Sequence, residues 1–440
     1  DTFTIPAGAT ITNSGTANGF GADGAVNWQT AIKTSTFTAV NQEGYFCNTS
    51  GGAFTVNLPS ASVGNIISIK DYSGSFGTNA LTISPNGSDK IDGVNEDAIL
   101  ATDNLSVTLV YADTTKGWLN VNDSTSVEGS TFITATGGTI TTCGNFKIHT
   151  FTGPGTFCVS AGSGPLSTAE YLVVAGGGGG GRDNGGGGGA GGFRFASPSI
   201  APLSYPGKPL AAPANLPISI QGYPIVVGAG SAGGPGPGEA NAPGLKGNNS
   251  SFSTITSTGG GGGGSDGGAP YATAPTTGGS GGGLGQNSTC GTLPATAGTG
   301  NNPPVSPPQG NPGGLLNGNP NGGGGGGGAM AAGQAGSGSA NGQTGGVGAG
   351  LPTAFGSNGQ PCGSFRYYAG GAGGGVGQPG SGSGGAGGLG GGAAGGPNAS
   401  AGSAGTVNTG GGGGGGGQGV PNNSAAAGGS GIVVIRYKFQ

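Results

Sequence analysis

The single histidine of the chain, His149, stands in the alternating run "NFKIHTF", so any serine-histidine or cysteine-histidine mechanism would have to pass through it. In that setting it reads as a surface or interface strand residue instead. Carboxylates gather once, as Asp89, Asp92, Glu96 and Asp97 in "SDKIDGVNEDAI", with Asp71, Asp103 and Asp113 scattered nearby. Glycoside cleavage needs two carboxylates across one bond, and a calcium ion needs a shell of oxygens. Asp in loops ordinarily bonds its own backbone, and turn chemistry is the reading favoured over either. A third pattern, Gly228, Gly230 and Gly233 after "YPIVV", has the spacing of a phosphate-cradling loop. Such a loop must open a helix whose N-terminus holds the phosphate, and the "GPGPGEANAPG" that follows cannot be helical. The cysteines Cys47, Cys143, Cys158, Cys290 and Cys362 have no CxxC spacing, which argues against a zinc site or a dithiol redox centre. Their odd number leaves at least one unpaired or bonded to another chain. Cys290 with Cys362 is the candidate bridge, both lying in otherwise unconstrained loops. No catalytic residue, no metal site and no cofactor are expected.

What remains is contact chemistry. Aromatic and arginine side chains give large contact area at low entropic cost and commonly anchor interfaces and stack on sugars. In the C-terminal part they gather in "FGSNGQPCGSFRYYAGG", which holds Phe355, Phe365, Arg366, Tyr367 and Tyr368, and in "APYATAP" with Tyr271. Arg366 is the one charged residue in 267–435. Tyr205 and Lys208, in "FASPSIAPLSYPGKPLAAPANLP", form a weaker candidate. The alternative is that these rings pack on a β collar or cap the ends of glycine helices. For Phe355 and Phe365 both readings stay open. For Arg366, Tyr367, Tyr368 and Tyr271 surface contact is favoured.

The elements that must carry such residues are set by composition. Of 115 glycines, 18 lie in residues 1–150 and 97 in residues 151–440, and only 6 % of the chain is charged. A compositional border therefore falls near residue 150. The net charge of −4 and the lack of any Lys/Arg cluster argue against nucleic acid as a partner. The longest apolar runs, "YLVVA" and "IVVI", fall far short of the roughly 20 residues that cross a bilayer. The chain opens at Asp1 with neither a basic nor an apolar leader pattern, so its N-terminus reads as processed or incomplete.

From Thr36 to Val121, short runs such as "AFTVNLP", "IISIKDY" and "LSVTLVYA" alternate apolar and polar residues between Gly, Asn, Asp and Pro. This pattern predicts an antiparallel β sandwich or prism. One short helix around Ala25–Ile32, anchored by Trp28, is the one exception expected to an otherwise helix-free chain.

Further on, strands lead repeatedly into glycine. Pure runs occupy 176–181, 185–189, 259–264, 322–328 and 410–417, with broken runs at 278–283, 370–375 and 384–392. A flexible Gly/Ser linker would fit their entropy, but disordered chains are usually charge-rich and the terminal "GIVVIRYKFQ" is a strand in need of a sheet. The better reading makes the runs themselves structure. Polyglycine can adopt the left-handed threefold helix, with about 3.1 Å rise per residue. Such helices have no side chains, so they can pack laterally and bond to one another, replacing a hydrophobic core. The strands "EYLVVA", "YPIVV" and "GIVVIRY" would form a collar where runs enter and leave.

Two resemblances bear on this. The stretch from "FTAVNQEGYFCNTSGGAFTVNLPSASVGNIISIKDYSGSFGTNALTISPNGSDKIDG" to "LSVTLVYADTTKGWLNVN" resembles the β module of tail fibres of marine bacteriophages, cyanophages especially. "NFKIHTFTGPGTFCV", "EYLVVAGGGGGG", "YPIVVGAGSAGG" and "GGSGIVVIRYKFQ" together resemble the glycine-rich domain at the C-terminal ends of phage tail fibres and adhesins, similar to the polyglycine-helix adhesins of T-even-like phages. The resemblance implies a trimerising β module over 1–125, a junction over 126–145 and a glycine-rich receptor-binding domain over 146–440. It further implies a homotrimer in the virion tail, assembled in the host cytoplasm beside other tail proteins. Such a fibre would bind a bacterial surface glycan or outer-membrane protein without catalysis. The alternatives are a mechanical surface-fibre or matrix protein with no specific ligand and, behind it, a polysaccharide depolymerase.

Overall fold

The computed structural model describes residues 26–122, 132–198, 200–234, 243–265, 273–286, 296–316, 322–336, 340–377, 382–418 and 424–440. The chain is all-β. The helical elements among these residues are the 3₁₀ turns Gly164–Leu166, Lys208–Leu210 and Thr353–Phe355. Two compact units divide it, one of Asp1–Thr131 with Ser163–Leu166 and one of Phe132–Gly162 with Ser167–Gln440.

In the first unit the chain alternates between two sheets. Strands β1 (Asn27–Trp28), β3 (Glu43–Cys47) and β5 (Ile66–Asp71) pair side by side in one sheet, and β2 (Phe37–Thr38), β4 (Thr55–Asn57) and β6 (Leu81–Ser84) in the other. All these pairings are parallel, with Glu43 opposite Ile67 and Val56 opposite Ile83. The result is a short two-sheet coil, not the expected antiparallel sandwich. Alternation reveals which face of a strand is inward but not its partner's direction. Antiparallel pairing appears only where the coil closes: β7 (Ala98–Leu100) on β6, β8 (Ser106–Asp113) on β5, and β9 (Gly117–Asn120) on β8. The expected helix at Ala25–Ile32 is also absent from 26–32, because Asn27 and Trp28 pair in parallel with Glu43 and Gly44, the Asn27 and Gln29 N–H groups donate to the Gln42 and Gly44 carbonyls, and the Trp28 ring lies 4.9 Å from that of Phe46. Between the sheets Trp118, Phe76, Leu58, Ile67, Ile69, Leu81 and Ile83 are fully buried. Each contributes on the order of 1.5–3 kcal/mol by burial.

The second unit begins with β10 (Thr134–Thr136) and β11 (Thr139–Cys143), which lie in the stretch read as a junction. β12 (Phe146–Phe151), β13 (Gly155–Ala161), β14 (Thr168–Val174), β15 (Phe193–Ala196), β16 (Leu216–Pro217), β17 (Gly222–Val226), β18 (Ser250–Phe252) and β19 (Ile255–Ser257) follow. The last are β20 (Ala349–Pro352), β21 (Gln360–Cys362), β22 (Phe365–Tyr368) and β23 (Ile432–Lys438). The C-terminal β23 inserts between β12 and β14 in one sheet, and β10, β13, β17, β18 and β19 form a second. The side chains of β14 and β23 alternate into two apolar clusters, Leu172, Val174, Ile432 and Val434 on one side, Tyr171, Val173, Val433 and Ile435 on the other.

From these sheets the glycine runs project as a lattice of threefold helices. In run 176–181, Gly176 and Gly179 donate to Asn248 and Leu245, Gly177 and Gly180 to Gly429 and Ala426, and Gly178 and Gly181 to Gly189 and Gly186, all at 2.8–3.0 Å. Every third N–H thus points to the same neighbour, the signature of three residues per turn. The carbonyls of the same run accept from Gly260 and Gly263, from Ser231 and Gly234, and from Gly413 and Gly416. Three residues per turn, each with one donor and one acceptor, supply six directions, and here all six are filled. Run 185–191 is likewise enclosed by runs through 178, 261, 280, 324, 372 and 413.

Glycine is needed here for close approach, not for backbone freedom. None of Gly176–Gly181 or Gly185–Gly189 has a positive φ. A Cβ on Gly177 would sit 2.0 Å from the Gly411 carbonyl oxygen, and one on Gly326 2.0 Å from that of Gly188. Where a run lacks a neighbouring carbonyl, a side chain supplies the acceptor: Asn249 Oδ1 for Gly259, Thr276 Oγ1 for Gly262, Gln309 Oε1 for Thr258.

Candidate contact surfaces of the glycine lattice

Following the chain through the lattice separates two ends. At one, Ala175 donates to Gly192, Gly192 to Thr258, Phe193 to Gln309 and Ala329 to Ala369, all at the edge of the sheets. At the other, run 176–181 reverses through Arg182, Asp183 and Asn184 into run 185–191. Gly234, Gly264, Gly283, Gly324, Gly375 and Gly416 are level with that reversal, each bonded to Gly180, Gly181 or Gly185–Gly187 directly or through Gly264. The segments 235–242, 266–272, 287–295, 317–321, 378–381 and 419–423 connect runs whose described residues terminate at this far end.

Residues 150–438 match a family described as a glycine-rich domain. The chain belongs to this glycine-rich domain family. No curated protein matches it.

Within the glycine-rich domain, the arginine-tyrosine cluster lies at the sheet end and not among the far-end reversals. β20, β22 and β21 form a three-stranded antiparallel sheet in which Arg366 stands opposite Leu351 and Pro361, and Phe365 opposite Cys362. This small sheet packs on the collar: Leu351, Phe355 and Tyr368 share a cluster with Leu172, Phe193, Phe195, Ile432 and Val434. Tyr368 is buried and donates its hydroxyl to the Asn358 carbonyl at 2.7 Å, and burial pushes its phenol well above the usual range. Phe355 is buried with its ring 5.1 Å from that of Phe195, so the packing reading left open for it is the one realised. Phe365, half-buried, packs on the same cluster. Tyr205 is buried too, edge-on to Phe195; desolvation, with Glu170 nearby, raises its phenol to about 12. Tyr205 and Tyr368 are therefore core side chains, contrary to their reading as contact residues, and Phe355 joins them in the core. Arg366 and Tyr367 stay half-buried, the Tyr367 ring lying over Gly350. Tyr271 and Cys290 lie outside the described residues, and Cys362 is exposed and in no disulfide.

The residues tested for chemistry find other uses. His149 is fully buried: Nδ1 donates to the Gly137 carbonyl at 2.7 Å, and Nε2 accepts from the Tyr437 hydroxyl at 3.0 Å. This corrects the expectation of a surface or interface residue. Burial lowers its pKa, the Gly137 carbonyl opposing and the Lys147 charge adding to the effect. Gly228, Gly230 and Gly233 belong to an outer lattice run, where a Cβ on Gly228 would meet the Asn248 carbonyl at 2.0 Å. The carboxylates serve turns. Asp89 accepts from Ala61, Asp103 from Gly77, and Asp113 from Thr115 and Lys116. Burial would raise the Asp71 carboxyl, but the N–H groups of Asn104, Phe76, Ser75 and Ser73 outweigh it and hold the pKa low. Among the described residues no group of three or more His, Cys, Asp or Glu could hold a metal ion, and no helix is long and apolar enough to cross a membrane.

The far-end reversal Arg182-Asp183-Asn184 was not singled out from sequence as a site. Asp183 and Asn184 turn the chain in the left-handed region, at φ of 48° and 47°, which Asp and Asn tolerate best after glycine. The available signal was a pair of charges set in three residues between two pure runs: helices packed side by side must reverse there.

Proposed function

We propose that this chain is the receptor-binding part of a bacteriophage tail fibre, a non-catalytic adhesin whose contact face is the far end of the glycine lattice. The observation that carries this reading is that the described runs end together, level with the reversal at 182–184. The segments that join those runs in sequence, from "PGPGEANA" to "NSTCGTLPA" and "GVPNN", differ in length and composition as binding loops on a scaffold do. The resemblance to phage fibres supplies the biological setting: a homotrimer in the virion tail, contacting a bacterial surface glycan or outer-membrane protein. Three copies per fibre would raise avidity over a weak single contact.

The test is strain-selective labelling of aquatic bacteria by the fluorescent full-length protein. Replacing residues 235–242 and 287–295 by Gly/Ser of equal length should abolish labelling, and Arg366→Ala with Tyr367→Ala should leave it unchanged. The converse pattern would move the contact face to the sheet end. Labelling of every strain or of none by folded protein would favour a mechanical fibre.

A further inference from the structure

The first unit holds a groove of about 480 Å³ between the segments 34–36 and 48–54. That is within the range of small-ligand sites, roughly 300–1,000 Å³. Thr34, Ser35, Thr36, Asn48 and Ser50 line its walls, Phe54, which also borders it, is buried in the core, and none of the lining residues is charged. The nearest cation in sequence, Lys33, is engaged elsewhere, with Nζ over the rings of Phe37 and Tyr45 at 5.0 and 5.6 Å.

The wall groups are partly committed in a way that leaves donors over. Asn48 Oδ1 accepts from the Ser50 N–H and the Ser73 hydroxyl, both at 2.9 Å, so its Nδ2 is a donor with no partner among the described residues. Thr36 Oγ1 accepts from Thr55 N–H and keeps its own O–H. The hydroxyls of Thr34, Ser35 and Ser50 have no hydrogen bond to any described residue and can both donate and accept.

An uncharged set of hydroxyl and amide groups with unspent donors matches one ligand class. A sugar hydroxyl donates and accepts at once, as the wall hydroxyls do. A carboxylated or phosphorylated ligand would find no counter-charge. We propose that this groove is a binding site for a neutral saccharide, separate from the far-end face of the glycine lattice and independent of what that face contacts.

Saturation-transfer NMR on the full-length chain tests this, with glucose, galactose, mannose and N-acetylglucosamine as probes and glucuronate as the charged counterpart. Gly51→Leu should block the groove, which Gly51 lines: Gly51 has no positive φ, and nothing lies within 4 Å of its Cβ direction. At least one neutral sugar should give transfer that Gly51→Leu abolishes and that Thr34→Val with Ser50→Ala weakens about tenfold. The hydroxyl-removing variant keeps the test valid should Gly51→Leu fail to fold. Transfer from no neutral sugar, transfer unchanged in the variants, or equal transfer from glucuronate would each overturn the assignment.

Discussion

The two units fill their interiors with different matter. In the coil of 26–122 the space between the sheets is occupied by side chains, Trp118 and Phe76 at its largest points, and the main chain is bonded within each sheet. In the glycine lattice the interior is almost wholly main chain, with a small side chain such as Ala190 or Ala372 at chosen positions. The coil derives its driving force from apolar area removed from water. The lattice relies on hydrogen bonds worth only about 0.5–1.5 kcal/mol net each, together with packing too dense for a side chain at most positions. Glycine, the residue most costly to order, becomes usable as a core because six neighbours saturate every peptide group at once.

The comparison can be broken most sharply with one methyl group. Gly326→Ala places a Cβ 2.0 Å from the Gly188 oxygen, held by its own run, and should cost more than about 4 kcal/mol, removing the second unit's calorimetric transition and sparing the first. Ala372, buried in the same lattice, shows that a methyl fits at chosen positions, so the effect is local geometry and not glycine content. Trp118→Ala should cost about 3–5 kcal/mol in the first unit alone, read by denaturant titration. If either substitution destabilised both units equally, the division of cores would be wrong.

A smaller effect concerns the collar. His149 is held neutral, with its folded pKa below the unfolded 6.5. The stability this arrangement contributes is fully present above pH 6.5 and is lost as pH falls from there toward the folded pKa. Thermal melting of the second unit should decline below about pH 6.5, and His149→Gln should flatten that decline. The smallest effect is the counterpart of the first: Gly51→Ala, open and without positive φ, should stabilise the first unit by about 0.5 kcal/mol, measured by the same calorimetry.

Much of the lattice was legible because pure runs have one physical explanation once flexibility is set aside, and those very runs, 176–181, 185–189, 259–264 and 322–328, occupy enclosed positions where any Cβ collides. The coil was legible as β but not as parallel, since Val56 and Ile83 announce an inward face and say nothing about each other. The contact residues were least legible. Tyr368 and Phe355 have the types of an interface anchor, but the same types seal a collar, and only the path of the chain decides that Ala349 and Ala369 emerge at the sheet end.

The central claim is that the glycine runs are an ordered core of main-chain hydrogen bonds. Amide hydrogen exchange over 176–191 tests it most directly. The account predicts slow exchange throughout the two runs, as slow as in β14 and β23, with faster exchange confined to residues 182–184. Exchange at unfolded-chain rates across Gly176–Gly181 would contradict it.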